Sequence, residues 1–235
     1  MDDAALRRIQ SALDDNGYQK YCAWADGSFD ATESSVQEYV ALLDSAGDEK
    51  PLQGFLAGRP WMLTAEDGSQ CRWVIPQMSL SRRFFPDFLV GRLDSTGLNW
   101  TLVELQSPKA ELFTRKDRPA DQLREGIEQV QRWRRWLKNN RDMAIRSRAQ
   151  DGLGLVSIGA DTYGLVIIGR ASGRDDYNRE HLSQLAWESR IEIRSYDWLA
   201  RQARSRIEAR DESGDGRCEE CEDDRGLDSG TESTG

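Results

Sequence analysis

Residues 84–90 (FFPDFLV) and 100–106 (WTLVELQ) are two short runs of aromatic and aliphatic residues that decide the fold. A polar segment, residues 91–99 (GRLDSTGLN), separates them, which is typical of two strands joined by a turn. Each run contains one acid where a core strand should be apolar. Asp87 lies at the start of the first strand and Glu104 near the end of the second, and these two acids are the first indication of a functional site.

A hairpin closed around Ser95 and Thr96 pairs residues whose numbers add up to 191, so that Asp87 lies opposite Glu104. Opposed side chains are about 5 Å apart at Cβ, and like charges there repel each other. Strand alternation puts Gln106 on the face of Glu104, and such a set of oxygen atoms suits a divalent cation. Two alternatives stay open: the acids serve only a turn and a salt bridge, or a one-residue slip of register separates them.

The composition sets limits on the class of protein. The 235 residues, 38% hydrophobic and 31% charged, allow one substantial domain with extensions. No run of 18 apolar residues and no basic-then-apolar start is found, so we expect no membrane contact and a cytoplasmic location. Of the net charge of −9, most lies in residues 208–235, with eleven acids and three arginines. An acidic total of this kind does not argue against a nucleic-acid partner.

Hydrophobic periodicity predicts the secondary structure. Helices are predicted over residues 4–13, 34–43, 48–56, 119–140, 176–187 and 196–209, and strands over residues 70–75, 84–90, 100–106, 163–170 and 191–196. The run 163–170 is typical of a strand buried on both faces, and 191–196 of an edge strand. Residues 18–24 fit neither pattern. This order predicts an α/β fold with a central mixed β-sheet of about four to five strands flanked by helices.

The chain divides into three predicted parts. Residues 1–47 form an N-terminal helical extension, residues 48–209 the folded domain, and residues 210–235 an acidic tail. Because the tail lacks the apolar residues that a core requires, we expect it to be disordered. Cys218 and Cys221 in the tail have zinc-like spacing, but two ligands do not complete a tetrahedral site.

The longest predicted helix lies in a basic region. Residues 115–148 carry eleven bases and five acids, a local net charge of +6, and Trp133 and Trp136 lie among them. Basic groups interleaved with tryptophan suit a phosphate backbone. A solvated helix face is an equal alternative, since arginine is a good helix former, and the tryptophans are alternatively anchors of a subunit interface. The single histidine, His181, falls on a predicted surface helix, which argues against histidine-dependent catalysis.

The order of elements, with Pro86-Asp87 opening one strand and residues 104–106 (ELQ) closing the next, resembles the PD-(D/E)xK nuclease superfamily. Within it, the chain is similar to the nuclease domain of the Shedu anti-phage defence proteins. The resemblance covers about residues 48–200 and is carried by residues 49–56 (EKPLQGFL), 86–90 (PDFLV), 102–108 (LVELQSP), 129–137 (QVQRWRRWL) and 168–170 (IGR).

The resemblance implies a restriction-endonuclease-like core and metal-dependent cleavage of DNA phosphodiesters. By family role, Asp87 and Glu104 hold Mg²⁺, with Mn²⁺ as an alternative ion. Glu49 is the acid contributed by the first helix of the domain, and Gln129 belongs to the motif on the long helix. Gln106 stands where the family pattern has lysine. A glutamine orients ligands through one carbonyl and one amide but supplies no charge.

Three functions follow from these residues. The first is a Mg²⁺-dependent endonuclease in phage defence, with Arg132, Arg135 and Lys109 as the residues expected to contact DNA. The second, suggested by Gln106, is a nuclease-fold module that binds nucleic acid with little or no turnover. The third is an interaction protein, and we expect a homo-oligomer because defence nucleases often need an assembly to restrain them.

Overall fold

The computed structural model describes residues 3–18, 20–22, 32–64, 71–94, 96–171 and 176–213. Seven α-helices and six strands occur in this part of the chain. Their order is α1 (Asp3–Asp15), β1 (Lys20–Cys22), α2 (Glu33–Ser45), α3 (Lys50–Gly58), β2 (Cys71–Pro76), β3 (Phe88–Asp94), β4 (Gly97–Leu105), α4 (Asp121–Asn139), α5 (Arg141–Ile145), β5 (Tyr163–Ile167), α6 (Asp176–Ser189), β6 (Ile191–Arg194) and α7 (Tyr196–Ser213). Two short 3₁₀ helices, Pro60–Leu63 and Arg148–Gln150, complete it.

The six strands form one sheet whose spatial order equals the chain order. Strands β1 to β4 pair antiparallel, whereas β4, β5 and β6 are parallel. The α/β class and the mixed sheet predicted from the sequence are therefore confirmed. The sheet has one strand more than predicted because β1 adds an edge, and a strand of three residues is too short to show a periodic pattern.

The central hairpin has the predicted register. Leu89 lies opposite Leu102, and Leu93 opposite Leu98. However, β3 begins at Phe88 rather than at residue 84, because Phe84 forms a separate bridge with Ser81. Pro86 follows and cannot donate a ladder hydrogen bond.

Helices cover both faces of the sheet. Helices α1, α4 and α6 bury side chains against the face that carries Leu89, Leu102 and Val166. Helices α2, α3 and α7 bury theirs against the face that carries Phe88 and Val103. Helix α2 lies within the predicted N-terminal extension, residues 1–47, and shares a core with the sheet.

Two features at the far end of the sheet agree with prediction. Strand β5 is buried after its first residue and lies between β4 and β6, and β6 is the sheet edge.

Helix α7 continues to Ser213, beyond the predicted end at residue 209. The rest of the predicted tail, residues 214–235 with both of its cysteines, lies outside the described residues. Among the described helices, none has the length and apolar character needed to cross a bilayer.

Candidate active site

Two carboxyl groups meet where β3 begins and β4 ends. The hairpin ladder runs to the pair Phe88 and Val103, so the next pair in the same register is Asp87 and Glu104. Glu104 is 5% exposed and Asp87 is half-buried. The sequence-predicted register thus brings the two acids together in a place that is largely shielded from water.

Asp87 is held through both of its oxygen atoms. The main-chain N–H of Leu105 donates to Oδ2 at 2.7 Å. The side-chain amide of Gln53, on α3, donates to Oδ1. The carboxyl group is therefore fixed between the end of β4 and a helix on one face of the sheet.

Glu104 is held by two amides. Gln106 Nε2 donates to Glu104 Oε1 at 2.9 Å, and Gln129 Nε2, on α4, donates to the same oxygen at 2.8 Å. Helix α4 comes this close to the sheet because residue 126 is a glycine: a Cβ there would lie 2.9 Å from Val166 Cγ1 and 3.2 Å from Gln106 Cγ. The glycine thus sets the depth at which Gln129 reaches the site.

The two carboxyl groups retain protons unusually well. Burial, together with repulsion from Glu49, raises the pKa of Asp87 to about 6, against the effect of hydrogen bonds with Leu105 and Glu104. Burial and the charge of Asp87 raise the pKa of Glu104 to about 9, against the effect of the two amides. At neutral pH the pair therefore holds about one proton. A cation bound between the carboxylates would take the place of that proton.

The charged groups that act on this pair are themselves acidic. Glu49 acts on Asp87, and Glu125 on Glu104, and each raises the pKa by repulsion. Glu49 is the N-cap residue of α3, and its main-chain oxygen accepts from Gln53 N at 2.8 Å. Its influence on Asp87 is electrostatic, and its role as a catalytic acid stays a prediction.

The end of β4 is tied to β5 and to the helical layer that contains α2 and α7. Gln106 N donates to Ile167 O at 2.9 Å, in line with the β4–β5 ladder. Tyr196 Oη, on α7, donates to Gln106 O at 2.8 Å, and Tyr39 Oη, on α2, donates to Tyr196 O at 3.1 Å. Burial raises the pKa of both phenols, so both remain protonated donors. This chain fixes the backbone on which Glu104 and Gln106 are placed.

Sequence reasoning missed two residues of this arrangement. Gln53 lies four positions after Glu49, and residues four apart share a helix face, so that spacing was the available signal. Tyr196 was missed because it lies 90 positions from Gln106, and no local pattern reports a contact of that range.

The predicted DNA-contacting residues lie on the surface. Lys109 and Arg135 are exposed, and Arg132 forms an exposed ion pair with Glu128 at 2.8 Å. Their neighbour Arg134 has a structural role instead, because its guanidinium donates to the main-chain oxygens of Thr162, Ser189 and Arg190. Part of the basic character of this region therefore supports the fold.

Of the two tryptophans of α4, Trp133 is buried in the core and is not available as an interface anchor, whereas Trp136 is half-buried and its interface role stays a prediction. Trp133 is 1% exposed and belongs to the core, and Trp136 packs against the same core. Trp133 therefore belongs to the buried stripe of α4 together with Leu123, Ile127, Val130 and Leu137.

The donor set fits a hard divalent cation. A cluster of three or more histidine, cysteine or acidic side chains able to hold a metal is absent from the part of the chain that the structure describes. Mg²⁺ does not require such a cluster, because it commonly keeps several waters and binds one or two carboxylates together with substrate phosphates. Asp87 and Glu104 supply two carboxylates, and burial and repulsion between carboxylates raise the pKa of both.

Comparison with known proteins agrees with this geometry. Residues 46–200 match the family model described as Shedu protein SduA, C-terminal. The chain therefore belongs to this family, a PD-(D/E)xK nuclease family of anti-phage defence. A comparison with curated proteins found no match.

Proposed function

Since the chain belongs to the Shedu nuclease family, we propose that it is a Mg²⁺-dependent endonuclease that hydrolyses DNA phosphodiesters in anti-phage defence, with Mn²⁺ as an alternative ion. The observation that carries this proposal is the pair of Asp87 and Glu104, two opposed carboxyl groups with raised pKa values in a mostly buried place. Such a pair is unfavourable for the fold alone, because both charges repel and neither is solvated.

Asp87 and Glu104 would hold the cation. When bound, the ion polarises a phosphate and lowers the pKa of an attacking water. The chain's own groups fix the ligand geometry: Leu105 N–H and Gln53 orient Asp87, and the amides of Gln106 and Gln129 orient Glu104. Such support of ligands by neighbouring hydrogen bonds commonly changes metal affinity or activity 10- to 100-fold.

Gln106 favours a second candidate, a nuclease-fold module that binds DNA with little turnover. The amide of Gln106 donates to Glu104 and carries no charge, whereas a lysine would stabilise negative charge on the phosphoryl oxygens. Substitution Gln106→Lys separates the two candidates. Cleavage that appears only in the variant supports the binding module, and cleavage by the unsubstituted chain supports the nuclease.

The direct test is nicking of supercoiled plasmid with Mg²⁺, with Mn²⁺, and with a chelator. We expect metal-dependent nicking that Asp87→Ala and Glu104→Ala each reduce by at least about 100-fold, since each removes a metal ligand. Glu188→Ala is the matched control, an exposed acid on α6 that should leave the rate unchanged. Nicking that survives both ligand substitutions would contradict the proposal.

The proposal extends to partners and location. We propose that Arg132, Arg135 and Lys109 contact the DNA backbone, and that the protein acts in the cytoplasm as a homo-oligomer. Light scattering coupled to size exclusion measures the oligomeric state, and a monomeric mass at micromolar concentration would contradict the proposed homo-oligomer.

A further inference from the structure

One exposed aromatic side chain lies beside the proposed catalytic pair. Phe85 is 50% exposed and is one of four large apolar side chains exposed among the described residues. It precedes Asp87 by two positions, and two residues of chain span at most about 7 Å. A large apolar ring therefore lies on the surface within side-chain reach of the site.

The segment that carries Phe85 is fixed on both sides. Leu80 N donates to Phe84 O at 3.0 Å, Phe84 N donates to Ser81 O at 3.3 Å, and Gln77 N donates to Asp87 O at 2.9 Å. Pro86, between Phe85 and Asp87, is buried. Phe85 is thus exposed, Pro86 buried and Asp87 half-buried. This alternation is typical of an extended chain, in which residues two apart lie on the same side. Phe85 is held outward by anchored neighbours.

Two cations accompany the ring. Arg82 and Arg83 occupy the tip of the turn between Ser81 and Phe84, and both are exposed. Guanidinium groups bind phosphates, and an aromatic ring next to them binds the face of a nucleobase, which is the combination used by surfaces that bind unstacked nucleic-acid bases. The exposed residues that precede Phe84 and Phe85 in the chain, Arg82 and Arg83, are charged, which favours an anionic ligand over an apolar protein surface.

We propose that Phe85 stacks on a nucleobase next to the phosphate at Asp87 and Glu104, while Arg82 and Arg83 bind neighbouring phosphates. This inference rests on the proposed function and specifies its substrate. The base that Phe85 receives must be unstacked on one side. It is therefore either part of a single strand or part of a duplex step that the ring opens as a wedge.

The test uses the full chain in the presence of a chelator, so that binding is measured without cleavage. Fluorescence anisotropy gives the affinity for a labelled single-stranded oligonucleotide and for its duplex. Phe85→Ala and Phe85→Leu should each weaken binding about 5- to 150-fold, the range for loss of one stacked base, and Phe85→Tyr should bind as the unsubstituted chain does. Because Phe85 is uncharged, the dependence of affinity on salt should keep its slope, whereas Arg82→Ala should reduce that slope by about one.

Tyr163→Ala is the matched control, since Tyr163 is 55% exposed and lies at the start of β5, three residues before the position paired with Glu104. A loss confined to the single strand assigns the base to unpaired DNA, and a loss on both DNAs assigns it to an opened duplex step. Normal binding by Phe85→Leu, or an equal loss in Tyr163→Ala, overturns the inference. If the unsubstituted chain nicks plasmid and Phe85→Leu also binds and nicks normally, only the stacking is refuted. If the unsubstituted chain neither binds DNA nor nicks plasmid, the proposed function fails.

Discussion

Replacement of Glu104 by glutamine tests the electrostatics of the site through protein stability. The pKa of Glu104 is raised by burial from 4.5 to about 9, so the folded protein binds a proton more tightly than the unfolded chain. This contribution to stability is fully present below about pH 4.5 and is lost as pH rises through about 9. Each pH unit in that window lowers the free energy of unfolding by about 1.4 kcal/mol.

From pH 5 to pH 8 the metal-free protein should therefore lose at most about 4 kcal/mol through Glu104. The Glu104→Gln variant lacks this titration and should lose nothing from that position. The amide resembles the protonated carboxyl group, so near pH 5 the two proteins should differ little.

The assay is urea unfolding in a chelator at pH 5, 6.5 and 8 for the unsubstituted chain and the variant. The difference between the two proteins removes the contribution of titrating groups that do not interact with Glu104, and it therefore reports on the pair of Glu104 and Asp87. The free energy of unfolding of the variant, minus that of the unsubstituted chain, should increase steadily as the pH rises. Glu128→Gln, an exposed acid on α4, is the control and should give a constant difference. A constant difference for Glu104→Gln as well would refute the raised pKa and the buried pair.

Three further substitutions test the supports of the site. Gly126→Ala should lower the free energy of unfolding by about 1–3 kcal/mol and reduce nicking, because its Cβ would overlap the side chains of Val166 and Gln106. Gly54→Ala on α3 is the control: open space surrounds Gly54, so this substitution should not destabilise the protein. Tyr196→Phe should cost about 1–3 kcal/mol in urea unfolding, since it leaves the buried carbonyl of Gln106 without its donor. An unchanged midpoint would show that this hydrogen bond contributes little. Arg135→Ala should lower the salt dependence of DNA affinity by about one unit of slope in a filter-binding titration, and an unchanged slope would remove Arg135 from the interface.

The sequence allowed prediction of the hairpin because two local features determine it. The turn near Thr96 fixes the register, and the apolar alternation of both strands opposes any slip, because a slip would turn Leu89 and Leu102 away from the core. Once the register is fixed, the opposition of Asp87 and Glu104 follows from counting residues. Gln106 joins them by strand alternation.

The remaining features depend on contacts between distant segments. The hydrogen bond between Gln53 and Asp87 joins residues 34 positions apart, and its existence depends on where α3 docks. The burial of Trp133 could not be read from the helix alone, since the width of the buried stripe is set by the sheet underneath. The family resemblance placed Gln129 in the motif on the long helix, but its contact with Glu104 depends on how α4 packs against the sheet.

Calorimetry of cation binding tests the central claim most directly. Mn²⁺ is titrated into the protein at pH 7.5 in two buffers of different ionisation enthalpy, and the difference in heat gives the number of protons released. Asp87 and Glu104 hold about one proton at that pH, so binding of one ion should release about one proton, and Glu104→Gln should release none. Binding without proton release, or no binding at all, would contradict a cation site formed by these two carboxyl groups.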